Sequence, residues 1–321
     1  MADPMTPPVA AADFLQAAGW GGAQILPLAG DASFRRYFRV QHDARRAVLM
    51  DAPPPQEDVG PFLAIARHLT AVGFRAPSIL AEDRATGLLL IEDLGDARMR
   101  ETIDDNPSLE LPLYEAAVDL LAVLQAHPPA DLPPYDMPVL QREAGLLTEW
   151  FCPAAGLDVD LAAYAAAWDE VLPQVDVAEV TVLRDYHAEN IMLLEDGALG
   201  LLDFQDALAG HRAYDLVSLL QDARRDVPEA VEVAMLDRFC TATGAGADFR
   251  PDYAILGAQR NAKIVGIFTR LWKRDGKPRY LDLLPRVWRY LDRDLAHPSL
   301  APVAAWFDAN IPHDKRGTIT P

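Results

Sequence analysis

The spacing of apolar residues changes character once along this 321-residue chain, near residue 94, and that change limits the folds open to it. From about Gln24 to Glu92 the runs are short. "FRRYFRV" alternates, and "QILPLAG", "AVLM", "APSILAED" and "GLLLIED" read as further strands, bounded by turn residues such as "DAPPPQ". One stretch among them, "PFLAIARHLTAVG", has helical spacing, so the segment predicts a five-strand sheet with one inserted helix.

After Leu94 the period becomes helical. "LPLYEAAVDLLAVLQAH" places Leu113, Ala117, Leu120, Leu121 and Leu124 on one face, and similar patterns recur at 140–150, 160–172, 213–222, 228–242, 252–272 and 280–295. Only 182–206, "VLRDYHAENIMLLEDGALGLLDFQD", interrupts them. There "TVL", "IMLL" and "LGLLD" read as short strands, with "EDG" turning between the last two. The predicted class is α+β and two-lobed: a small antiparallel β-rich lobe over 1–94 and a larger, mainly helical lobe over 95–321 that carries a β-hairpin. A single short connection near 91–96 joins them.

Charge and cysteine content exclude several roles. Lys plus Arg total 29 against 48 Asp plus Glu, a formal charge of -19, which argues against nucleic-acid binding through phosphate neutralisation. The two cysteines, Cys152 and Cys240, form no CxxC pair and indicate neither a disulfide framework nor a zinc site. The N-terminal stretch has no basic, apolar leader pattern, and no run reaches the roughly 18 to 20 apolar residues of a membrane helix. A cytoplasmic protein without membrane partners is expected.

The interrupting segment carries the chemistry. Asp185 follows the first short strand, Asn190 opens the second, and Asp203 closes the third. A carboxylate and an amide oxygen brought together by strand ends suit Mg²⁺, a hard cation that prefers oxygen and keeps positions for water and phosphate. Asp185 would then accept a proton from a hydroxyl as its oxygen attacks a phosphoryl group. Any one of these residues alone reads as a turn or cap residue. The spacing D-x-x-x-x-N, a hairpin, then D-F-x-D is not something turn chemistry requires.

"RDYHAEN" followed by "LLDFQD" resembles the catalytic and metal-binding loops of the aminoglycoside phosphotransferase and choline kinase family, a branch of the protein-kinase-like fold whose pattern is H-G-D-x-H-x-x-N then I-D-[WF]-E-D. The resemblance implies Asp185 as catalytic base, His187 as the second histidine of the motif, and Asn190 and Asp203 as Mg²⁺ ligands; His187 reads either as a hydrogen-bonded structural histidine or as a substrate contact. Asp215 in "AYDLVSLL" matches the Asp that buttresses the catalytic loop. Leu183 and Arg184 stand where the family has His and Gly, and Gln205 replaces an acid.

In the first lobe "LAGDASFRRYFRV" resembles the phosphate-covering strand–turn–strand. Gly30 would open the turn, and Ser33 and Phe34 would offer N–H groups to the nucleotide. "LLLIEDLGD" resembles the connection whose backbone, at Glu92 and Leu94, meets the adenine edge of ATP, with Leu89 or Ile91 against the ring. The family's third-strand Lys is missing. Met50 stands near its place and no Lys occurs in the lobe, so Arg35 or Arg36 is expected to supply the charge.

The segment 259–291 carries nine Lys or Arg, a solvated helix face or a basic acceptor wall. A basic wall would not suit a polycationic acceptor. "GDASFRRYF", "MDAPPPQED", "RDYHAEN" and "RNAKIVGIFTRL" together look most like the bacterial cell-wall sugar kinases that phosphorylate N-acetylmuramic acid and N-acetylglucosamine on the anomeric hydroxyl. That resemblance implies an amino-sugar substrate whose lactyl carboxylate meets Arg260, Lys263 or Arg270. The product would be a sugar 1-phosphate passed to a sugar-1-phosphate nucleotidylyltransferase in peptidoglycan recycling. Another acceptor (an aminoglycoside, choline or homoserine) or a nucleotide-binding pseudokinase is the alternative.

Overall fold

The computed structural model describes residues 6–28 and 34–319. It divides into two compact units, one of Met1–Thr102 with Glu189–Asp206 and one of Ile103–Ala188 with Ala207–Pro321.

The first unit is built on a five-stranded sheet of β1 (Gln24–Pro27), β2 (Arg36–His42), β3 (Arg45–Asp51), β4 (Ile79–Asp83) and β5 (Leu88–Glu92). The order is β1-β2-β3-β5-β4 and every neighbouring pair is antiparallel. Alternation along β2 sends Phe38 and Val40 into a core with Leu49, Leu88 and Leu90, closed by Leu15 and Trp20 from the N-terminal segment. Helix Gly60–Ala71 buries Phe62, Leu63, Ile65, Ala66 and Leu69, an i, i+3, i+4 stripe.

The expected boundary after Leu94 does not describe this unit. The chain from 95 to 102 and the distant hairpin Ile191–Leu193/Leu199–Leu201 group with the sheet, because backbone pairing holds them there. The Leu201 N–H donates to the Arg75 carbonyl at 2.7 Å, and the Leu193 N–H to the Ala97 carbonyl at 2.7 Å. Short bridges also pair Arg75 with Gly200 and Arg98 with Met192. Sequence periodicity records no such non-local pairing, and by sequence order alone the hairpin falls within 95–321.

The second unit is helical. Its longest helix, Phe249–Lys273, is buried over most of its circumference, including the polar Gln259, Arg260 and Asn261. Gln221, Asn261 and Asp294 hydrogen-bond to one another inside it, as buried polar groups must. Among the described residues, helices Ala11–Ala17 and Ala301–Asn310 and the strand Leu208–Gly210 lie outside the segments that periodicity marked. All three are short, and the helices are rich in alanine, which weakens any apolar period. No helix among the described residues is long and apolar enough to cross a membrane.

Packing around the long helix is tight enough to require glycine at one position. A Cβ on Gly266 would lie 2.3 Å from the backbone carbonyl group of Leu146, which has no side chain to move aside. Gly266→Ala is therefore expected to lower the unfolding free energy by about 1–3 kcal/mol, read from the denaturation midpoint at constant m-value.

Candidate active site

In the helical unit, strand Val180–Val182 pairs antiparallel with Leu208–Gly210 and stops before Leu183. Where the ladder stops, a side chain takes over the backbone donors. The Asp215 carboxylate, in the first turn of helix Ala213–Leu220 and fully enclosed, accepts the Leu183 N–H at 2.6 Å and the Arg184 N–H at 2.8 Å. Two tight turns follow. The Asp185 N–H donates to the Leu183 carbonyl at 2.9 Å, and the His187 N–H to the Asp185 carbonyl at 3.1 Å. Tyr186 is buried and its hydroxyl donates to the Ala117 carbonyl at 2.7 Å. This fastens both sides of Asp185, which is itself half-buried.

Burial pushes the Asp215 carboxyl up from an ordinary 3.8 to about 7, against the pull of the Leu183 and Arg184 N–H groups and of Arg260. His187 is 2% exposed, with Nε2 3.1 Å from an Arg224 guanidinium nitrogen. A donating guanidinium fixes that nitrogen as an acceptor and the proton on Nδ1.

Arg184 has φ +72°, a left-handed conformation costing a non-glycine residue about 1–2 kcal/mol. This accounts for the glycine of the family pattern. Its guanidinium is ion-paired to the buried carboxylate of Glu143 and lies 5.6 Å above the Tyr135 ring. Glu143 also receives the Tyr135 hydroxyl and, at 2.9 Å, Lys263 Nζ. Burial raises the Glu143 carboxyl, but Lys263 and Arg184 outweigh it and hold the group below its usual range.

The cations expected on an acceptor wall are placed as follows. Arg260 is buried, and its Nη2 donates to Ser218 Oγ at 2.7 Å; that hydroxyl donates to the Arg184 carbonyl at 3.2 Å. Arg260 therefore supports the loop from behind and presents no solvated face. Lys263 is engaged by Glu143 and, at 3.2 Å, by the Tyr214 hydroxyl, with little of its side chain exposed. Arg270 is half-buried on the same helix, two turns further on, and its Nε is enclosed with no hydrogen-bond partner among the described residues.

In the sheet unit, Asn190 ends a short 3₁₀ turn and its carbonyl accepts the Leu202 N–H at 2.9 Å, which closes the hairpin. Across that closure Asn190 Nδ2 lies 3.4 Å from Asp203 Oδ2, and Gln205 Nε2 donates to Asp203 Oδ1 at 2.8 Å. Turned about its last torsion, the Asn190 amide presents oxygen beside the carboxylate, a donor pair that fits a hard cation. Asp203 has φ +57°. Phe204 is fully buried and stacks on Phe62 of helix Gly60–Ala71 with centroids 5.1 Å apart, anchoring the segment that carries the carboxylate. Glu189 is ion-paired with Arg100, and Asp196 with Arg75 at 2.8 Å.

For a nucleotide, Gly30 and Ser33 lie outside the described residues. Phe34 is exposed, and its N–H donates to Glu57 Oε1 at 3.3 Å. Arg35 Nε meets Glu57 Oε2 at 3.0 Å, while Arg36 Nε donates to Asp51 at 2.8 Å. Both candidates for the missing lysine are thus carboxylate-paired, and Met50 is fully buried. The Glu92 N–H donates to the Ser78 carbonyl at 2.9 Å, and the Glu92 carboxylate accepts from Ser78 and Arg75. Its N–H is therefore occupied. Leu89 and Ile91 are buried within the sheet. Leu94 packs on Gly200, where a Cβ would come within 2.9 Å of Leu94 Cδ1.

Three residues here escaped sequence reading. Glu143 and Glu57 are single acids in helical or loop stretches, and nothing local marks them. Arg39 clamps the connecting segment, with Nε 2.8 Å from Asp93 Oδ2 and Nη2 2.8 Å from Asp96 Oδ1. Alternation of "YFRV" puts it opposite Phe38 and Val40, but its partners lie more than fifty residues away.

Comparison with known proteins follows this geometry. A family model described as phosphotransferase enzyme family matches residues 24–254. A protein of Caulobacter vibrioides named N-acetylmuramate/N-acetylglucosamine kinase is 39% identical, covering 96% of this chain and 97% of its own. One of the same name from Pseudomonas aeruginosa is 42% identical over 89% of each chain. Among solved structures, a choline/ethanolamine kinase family protein from Mesorhizobium loti superposes with TM-score 0.64 at 15% identity, covering 92% of this chain and 97% of that one. The last is a likeness of fold, that of the protein-kinase-like phosphotransferases.

Asp215→Asn keeps one acceptor oxygen and leaves one of two enclosed N–H groups unpaired, so it should cost about 1–3 kcal/mol in chemical denaturation. The folded wild type holds the Asp215 proton at pH values where the unfolded chain, at 3.8, has lost it. This group's contribution to stability therefore falls as pH rises from about 4 to about 7, and that slope should vanish in Asp215→Asn.

Proposed function

The chain belongs to the phosphotransferase enzyme family, and on that premise we propose that it is an ATP-dependent sugar kinase acting on the anomeric hydroxyl of N-acetylmuramic acid and N-acetylglucosamine. The observation that carries the acceptor is the shared name of relatives 39% and 42% identical to it over nearly the full length.

The chemistry fits the residues. The anomeric hydroxyl is more acidic than an ordinary alcohol, which eases its deprotonation by a carboxylate. Asp185 is assigned that step: the proton passes to its carboxylate as the sugar oxygen bonds to the γ-phosphorus and the bond to the ADP oxygen breaks. Asn190 and Asp203 would hold Mg²⁺, which supplies charge neutralisation on the phosphate oxygens when bound. The product, a sugar 1-phosphate, is the substrate class of a nucleotidylyltransferase; the resemblance to cell-wall sugar kinases supports a part in peptidoglycan recycling.

For the acceptor's lactyl carboxylate we favour Lys263 and Arg270 over Arg260, whose guanidinium is committed to Ser218 and is enclosed. Arg35 is assigned to the nucleotide phosphates, with Glu57 orienting it as an acid orients a phosphate-binding base in this chemistry.

Incubation with ATP, Mg²⁺ and N-acetylmuramic acid should give a ³¹P signal coupled to the anomeric proton; a signal from another carbon, or from free phosphate alone, overturns the acceptor assignment. Asp185→Asn should lower kcat roughly a hundred- to ten-thousand-fold while isothermal titration with Mg·ATP stays near wild type. Asp203→Asn should instead raise the Mg²⁺ concentration needed for half-maximal rate, about tenfold or more.

A further inference from the structure

We propose that Glu143, acting through Arg184, is a positioning device for Asp185; the inference rests on Asp185 being the base. Among the described residues only Asp43, Arg184 and Asp203 combine a side chain with positive φ. Asp43 sits in the β2–β3 turn, where a short polar side chain adopts this conformation readily, and Asp203 belongs to the candidate metal pair. Arg184 has neither excuse. Glycine would adopt the same backbone without strain, so a long side chain held there must be compensated by what it touches.

What it touches is arranged from three parts of the helical unit. Glu143, 41 residues upstream and near the end of helix Met137–Ala144, takes the guanidinium. Tyr135 lies under it, and Lys263 from helix Phe249–Lys273 fixes the other Glu143 oxygen at 2.9 Å. The backbone of the same residue is tied as well, its N–H to Asp215 and its carbonyl to Ser218. Arg184 is thus held at its N–H, its carbonyl and its side-chain tip. The next residue in the chain is Asp185.

The consequence is mechanical. With the peptide planes rigid, the torsions of Arg184 set the direction in which the Asp185 Cα–Cβ bond leaves the loop. A misplacement of about 1 Å at a reacting group can cost on the order of a hundredfold in rate. Asp215 and Ser218 alone would hold a glycine loop in register. The Glu143–Arg184 pair adds resistance to rotation about the two torsions that aim the base.

The test uses Arg184→Gly, Glu143→Gln and the double variant, assayed with both amino sugars. In Arg184→Gly the relief of strain offsets the lost ion pair, so the melting temperature should stay within a few degrees. Its kcat should fall about tenfold or more with N-acetylmuramic acid and N-acetylglucosamine alike, with the KM for Mg·ATP within about twofold. Arg184→Lys should recover part of that loss. Glu143→Gln should lower kcat similarly, and the double variant should be no slower than the slower single one, because both act through one contact.

Wild-type kcat in Arg184→Gly overturns the proposal, as do multiplicative losses in the double variant. A rise in KM confined to the carboxylate-bearing sugar also overturns it, making Arg184 a substrate contact. If Glu143→Gln does not fold, Arg184→Gly and Arg184→Lys decide alone. Asp185→Asn, run in parallel, keeps the premise separate: wild-type turnover there removes the base assignment, whereas its loss beside an unaffected Arg184→Gly removes only the positioning role.

Discussion

One carboxylate accepting two backbone N–H groups organises the loop that carries Asp185. Asp215 is enclosed, and the groups it serves, at Leu183 and Arg184, are those left without ladder partners where strand Val180–Val182 ends. A buried donor with no acceptor costs about as much as a lost hydrogen bond, so a loop leaving a buried strand needs such a partner. Arg260 and Ser218 stand behind the same loop, and polar residues in the interior of a long apolar helix make sense as its support. The buried polar groups of this unit are therefore not spread at random through its core; several converge on the residues that flank Asp185.

The candidate metal pair is held by a different device. Asn190 and Asp203 meet because the hairpin closes through the Leu202 N–H and the Asn190 carbonyl, and Phe204 is locked by stacking on Phe62. Backbone pairing to Arg75 and Ala97 then fixes the hairpin against segments that flank the sheet. The same sequence stretch thus serves two units, with Asp185 belonging to one and Asn190 and Asp203 to the other.

Much of this was legible in the sequence, for identifiable reasons. The five strands follow from period-two alternation and turn residues, and the inserted helix from its apolar stripe, because these signals are local. Asp185, Asn190 and Asp203 stand out by spacing, and Asp215 only by its place in the family resemblance. What sequence could not carry was pairing over distance. The strand Leu208–Gly210 is three residues long, and its pairing with Val180–Val182 spans nearly thirty positions. The ion pairs of Arg39 and Glu143 join residues 54 and 41 apart, with no local pattern to mark either. Burial is likewise invisible locally: Arg260 reads from its charge as part of a solvated face or acceptor wall, while in the structure its side chain is enclosed with Nη2 on Ser218 Oγ.

The replacement of a phosphate-side lysine by Met50, with the nearby arginines paired to Glu57 and Asp51, has an effect on how the protein can be found. All four lysines of the chain, Lys263, Lys273, Lys277 and Lys315, lie in the helical unit. Guanidinium groups do not deprotonate under ordinary conditions and resist acylation. Nucleotide-shaped acylating reagents, which report a kinase by modifying the lysine amine beside its phosphates, would find no lysine in the sheet unit. A survey of kinases by that chemistry would have to rely on the lysines of the helical unit to mark this protein.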